Sequence, residues 1–103
     1  MAQIVWTPSA QSDLEAIHDY IAIESPRAAL AVIARVVRHI EQLARHPDSG
    51  SWLPELGRSR YRQIVEPPCR IFYRRDGSTV SILHVIRSER VLDVRRLEAA
   101  LDE

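Results

Sequence analysis

The chain has 103 residues, 46% of them hydrophobic and 27% charged, which is the make-up of one globular domain able to hold a core without staples. Its longest apolar runs fall far short of a membrane span, MAQIVWTPSAQSD lacks the basic-then-apolar order of a secretory signal, and the single Cys69 allows no internal disulfide and no zinc site by itself. A cytoplasmic protein with no membrane contact, metal or cofactor is expected. The formal net charge of zero conceals a polarised distribution: residues 58–75 hold Arg58, Arg60, Arg62, Arg70, Arg74 and Arg75 against Glu66 alone, whereas the first 57 residues hold seven acids and four arginines.

In chain order, residues 3–6 (QIVW) suit a first strand. Thr7-Pro8 then starts a helix, with Thr7 as cap, Pro8 in the first turn, and Ala10, Leu14, Ile17 and Ile21 as one apolar stripe. Ser25-Pro26 repeats the signal, and a longer helix is predicted to about Arg45 with Ala29, Val32, Ile33, Val36, Ile40 and Leu43 facing inward. The cluster His46-Pro47-Asp48-Ser49-Gly50 opens a loop expected to reach about Arg60. Strands follow at Tyr61–Val65, at Cys69–Arg74 after a Glu66-Pro67-Pro68 turn, and at Thr79–Ile86 after a hairpin turn built on Asp76-Gly77. A short helix over Val91–Leu101 ends the chain. The order β-α-α-β-β-β-(α) specifies a single α+β domain, residues 1–103: a helix hairpin on one face of a small, mostly antiparallel sheet.

That layout leaves the second sheet face partly open. Alternation along Cys69–Arg74 places Ile71 and Tyr73 on the core side and Arg70, Phe72 and Arg74 on the other. With Arg62 beside them, these side chains would line an arginine-rich concavity. Trp52, a large apolar residue in a polar loop, folds back on the core or anchors a partner. The helix faces with Ala28, Ala29, Ile33 and Val37 carry small and aliphatic residues that mostly build core, and an exposed remainder could accept a partner helix in a groove.

The opening TPSAQSDLEAIHDYI, the loop HPDSG followed by LGRSRYRQI, and CRIFYRRDGSTVSILHVIRSER together resemble the RelE/ParE superfamily of toxins from type II toxin–antitoxin pairs, closer in spelling to ParE-like members. The resemblance spans nearly the whole chain. It implies a cognate antitoxin as partner, and contact with DNA only through the antitoxin complex. It also implies one of two activities. ParE-like members are associated with inhibition of DNA gyrase, and RelE-like members cut mRNA in the translating ribosome.

The residues weigh against cutting. Attack by a 2′-hydroxyl needs a proton acceptor, a proton donor and cations on the phosphate. By resemblance, Arg62 stands where one RelE-type catalytic lysine lies, Ile64 where a second lies, and Arg70 where a phosphate-binding arginine lies; Arg87 or Arg90 matches a further family arginine. All fourteen basic residues are arginine, and guanidinium stays protonated, so neither Arg62 nor any other cation except histidine can accept the proton. Glu66 is the candidate base should the chain be a ribonuclease, although a turn carboxylate facing solvent is the commoner role. His84, between Ile82 and Ile86, reads as a core or edge histidine. The expectation is a gyrase-binding toxin whose contacts with antitoxin or target use Arg62, Arg70, Phe72, Arg74 and Trp52. The alternatives are a RelE-type ribonuclease and a degenerate member that only binds its antitoxin.

Overall fold

In the computed structural model, which describes residues 1–103, β1 (Gln3–Trp6) leads into α1 (Pro8–Ala22) and α2 (Pro26–Glu41). Each helix starts where the sequence places it. Thr7 Oγ1 accepts from Ala10 N and Ser25 Oγ from Ala28 N, with proline in the first turn both times; such caps contribute about 1 kcal/mol each. Along α2, Ala29, Val32, Val36 and Ile40 are buried at three- and four-residue spacing. The helix closes in a 3-10 turn over Gln42–Ala44 that buries Leu43, short of the expected end at Arg45.

The sheet runs β1-β5-β4-β3-β2 and is antiparallel except where β1 lies parallel to β5 (Thr79–Arg87). The expected loop to Arg60 is corrected at two places. A short strand, β2 (Ser51–Leu53), forms within it, and β3 (Gly57–Glu66) begins four residues before Tyr61. Pairing of Trp52 with Arg62 supplies the backbone partners that a polar loop would have taken from water. β3 turns through Pro67-Pro68 into β4 (Cys69–Asp76), and the next turn is Gly77-Ser78, not Asp76-Gly77. Asp76 pairs with Thr79, and Gly77 takes the positive φ of 60° that such a turn needs at its first central position.

Both sheet faces are covered. Ile64, Ile71, Tyr73, Val80, Ile82 and Val85 pack beneath the helix hairpin. On the other face, Phe72, Leu83 and Ile86 pack under Leu92 and α3 (Arg95–Leu101), whose Leu97 and Ala100 are buried. The expectation of a partly open second face is therefore corrected at its centre: a helix of seven residues closes it. Gly50 crosses the end of the core so closely that a Cβ there would lie 2.6 Å from the Tyr73 hydroxyl. Its N–H donates to that hydroxyl at 2.9 Å, and the hydroxyl donates to Pro47 O at 2.8 Å. Burial pushes the Tyr73 phenol up from its ordinary value.

Candidate functional site

The two-residue turn between β3 and β4 pairs Glu66 with Cys69, and this fixes which arginines share a face. Directly paired residues point the same way. Arg62 pairs with Tyr73, on the helix-hairpin side, whereas Tyr61, Gln63 and Val65 pair with Arg74, Phe72 and Arg70 on the α3 side. Arg62 thus lies across the sheet from Arg70 and Arg74, and the expected concavity shared by the three does not form. Phe72 is fully buried under α3, so its ring is not presented to a partner.

Arg70 is engaged rather than free. Its Nε donates to Gln63 Oε1 at 2.9 Å, and its two terminal nitrogens hold Glu55 in a fork at 2.9 and 3.0 Å. The guanidinium also lies 4.9 Å from the centre of the Phe72 ring. The Arg70 hydrogen bond holds the Glu55 carboxyl below the usual range. Arg74 lies over Tyr61 at 5.9 Å and pairs with Asp76 at 3.0 Å. Arg62 stacks on Trp52, 4.0 Å from the ring centre, and donates to Gly50 O at 2.9 Å. Trp52 is 39% exposed, held by Arg62 on the edge strand instead of folded into the core.

Glu66 does not face open solvent. It is half-buried, 3.1 Å from His39 Nδ1 and 3.9 Å from Arg35 Nε, both on α2. Cys69 is buried beside it, and burial, with the Glu89 charge adding, raises its thiol above the usual value. Among the arginines matched to a RelE-type cleavage set, Arg62 lies on the helix side with Glu66, and Arg70 lies on the opposite face. Arg87 is at the far end of β5, 3.6 Å over Tyr20 and paired with Glu89 at 3.1 Å, while Arg90 is exposed in the following loop.

One polar cluster was not legible from residue spacing. A bulge in β5, where Leu83 is the extra residue opposite the Phe72–Tyr73 step of β4, places both Leu83 and His84 on the α3 side. β1 pairs with β5 only as far as Ile82, and Asp13 of α1 closes the strand edge beyond. One Asp13 carboxylate oxygen accepts from the Val85 N–H at 3.1 Å and meets His84 Nδ1; the other accepts from Arg96 Nη2 of α3 at 3.3 Å. Burial alone would raise the Asp13 carboxyl, but the hydrogen bonds from His84 and Val85, aided by Arg96, hold it below the usual range. His84 is the buried, satisfied histidine the sequence suggested. A groove of about 430 Å³ opens here between α1 and the segment after β5, with Tyr20, Arg87, Arg90 and Arg96 on its walls. A second, apolar groove of about 420 Å³ runs along the helix hairpin between Trp6, Leu14, Ile33 and Val37.

The same arrangement of helices and strands is found in known proteins. Residues 4–92 match the model of the ParE toxin of the type II toxin–antitoxin system parDE. The chain is 38% identical over 89 residues to "Toxin RelE2" of Caulobacter vibrioides, covering 84% of this chain and 92% of that protein. It superposes on a chain of the chromosomal ParDE toxin–antitoxin system from P. aeruginosa with a TM-score of 0.72 and 28% identity, covering 86% of this chain and 98% of the other. The hairpin on a five-stranded sheet, the arginine-bearing β3 and β4, and a family match over most of their length lead to one assignment: the chain belongs to the ParE toxin family of type II toxin–antitoxin systems.

Proposed function

We propose that this toxin acts in the cytoplasm by binding and inhibiting DNA gyrase, and that a cognate antitoxin silences it. The observation that carries the reading is the division of the candidate cleavage residues: Arg62 and Glu66 on one sheet face, Arg70 on the other and already forked to Glu55. A phosphodiester held by Arg70 would have no proton acceptor on its own face from that set. The match to ParE toxins supports the same conclusion. The antitoxin has a surface suited to it in the groove between Trp6, Leu14, Ile33 and Val37, whose apolar walls fit one face of an amphipathic helix.

Expression without antitoxin should stop replication, induce the DNA-damage response and filament cells while bulk translation continues, and purified toxin should block supercoiling by gyrase. Immediate arrest of translation with ribosome-dependent cuts in mRNA would overturn the reading. The relative named RelE2 and the carboxylate–imidazole pair Glu66–His39 favour a second reading, a ribosome-dependent ribonuclease. In that case Glu66→Gln and His39→Ala would each abolish cutting. Under the gyrase reading both variants keep their toxicity. Loss of both activities in a protein that still binds antitoxin would instead mark a degenerate member.

A further inference from the structure

We infer that the end of the sheet formed by the start of β3 and the turn after β4 is a surface on which the toxin binds the phosphate backbone of duplex DNA directly. Arg58, Arg60 and Arg62 follow one another at every second position of β3, where its pairing with β2 shifts register; Arg62 lies on the helix-hairpin side and Arg60 reaches Asp76, which Arg74 also holds, so the row wraps the end of the sheet. Arg75 extends the row from β4, and Arg45 joins it across a shallow groove that both line with Pro47 and Ser78.

Two acids stand among them. Asp76 pairs with Arg60 and Arg74, and Asp48 pairs with Arg75 at 2.6 Å. Six arginines against two acids leave this end strongly positive on a chain whose net charge is zero. Arg45, Arg58, Arg60 and Arg75 are all exposed, and neither Arg45 nor Arg58 has an acidic partner.

The chemistry around the row selects the partner. Gly57, Ser59, Gly77 and Ser78 lie among the arginines, and the apolar side chains of the Arg45–Arg75 groove are Met1, Ala2 and Ala44, a smaller patch than the apolar centres on which protein interfaces are built. Single-stranded nucleic acid needs bare aromatic faces on which bases stack. The nearby rings already carry guanidinium groups: Trp52 under Arg62 and Tyr61 under Arg74. What remains is a positive surface that neutralises phosphates and reads no bases, which is the chemistry of non-specific duplex binding. Contact with DNA would then not depend on the antitoxin alone.

The test is fluorescence anisotropy of the full-length toxin with a labelled 20-base-pair duplex. Contact with about four phosphates predicts a fall in affinity on the order of 100-fold between 50 and 200 mM salt. The triple variant Arg58→Gln, Arg60→Gln, Arg75→Gln should bind at least tenfold more weakly at 50 mM, with a log–log salt slope shallower by about 3. The charge-matched triple Arg27→Gln, Arg38→Gln, Arg95→Gln should bind within about twofold of wild type, because those side chains lie elsewhere on the surface. Circular dichroism confirms that both variants are folded. Equal losses in the two triples, no binding at 50 mM salt, or a single-stranded oligonucleotide or polyglutamate bound as tightly as duplex would each overturn the inference. It does not rest on the gyrase reading: a toxin that binds duplex through these arginines but leaves gyrase untouched would sink only that reading.

Discussion

Asp13 ties three elements together through one carboxylate. It completes the open edge of β5 at Val85, fixes the His84 ring and meets Arg96 of α3. Its folded-state pKa lies below the ordinary value of 3.8, so the stability it contributes is present above that value and is lost as pH falls through the folded one. Glu55, lowered by its hydrogen bond from Arg70, has the same sign. Asp13→Asn removes the charge and leaves a mispaired group at a site only 13% exposed. Near neutral pH the variant should be less stable by about 2 kcal/mol in urea unfolding, within the range for a buried hydrogen-bond partner removed. Wild type should lose stability between about pH 5 and pH 2 more steeply than the variant, so the gap should narrow. A gap that stays constant across that window would show that the Asp13 charge contributes nothing.

At the level of elements, the helices and β5 were readable because capping residues and periodicity are local signals. Thr7-Pro8, Ser25-Pro26 and the run from Thr79 to Ile86 each state their own conformation. β2 was not readable: Ser51–Leu53 has no period of its own and becomes a strand only by pairing with β3. The face of Arg62 depended on a single residue of turn length. A turn with Glu66 in the loop would have paired Arg62 with Phe72, beside Arg70 and Arg74, but pairing of Glu66 with Cys69 sends it to the helix side. Asp13 meets His84 and Arg96 across separations of 71 and 83 residues, beyond any spacing rule. The closing of the second face by α3 was also underestimated, because seven residues hold little helical propensity alone. Its stability must come from burying Leu97 and Ala100 against Phe72, Leu83 and Leu92. Leu97→Ala should therefore cost about 2–4 kcal/mol. A loss below about 1 kcal/mol in equilibrium unfolding would mean that α3 is undocked in solution.

The whole molecule is neutral yet divided, with acids in excess over the first 57 residues and arginines gathered at one end of the sheet. Two copies can reduce their electrostatic energy by placing the arginine end of one against the exposed acids Glu15, Asp19 and Glu24 in and just after α1 of another, and no net charge opposes the approach near the isoelectric point of about 6.9. Such attraction acts between exposed charges and is screened within about 8–10 Å at physiological salt. Purified toxin should therefore associate most strongly at low salt near pH 7 and disperse as salt is added, the reverse of hydrophobic self-association, which salt strengthens. Light scattering from 20 to 500 mM sodium chloride measures this as a second virial coefficient that rises with ionic strength. The Arg58→Gln, Arg60→Gln, Arg75→Gln variant lacks most of the positive end and should show a much weaker dependence. A coefficient that falls as salt rises would assign self-association to the apolar groove of the helix hairpin instead of to the division of charge.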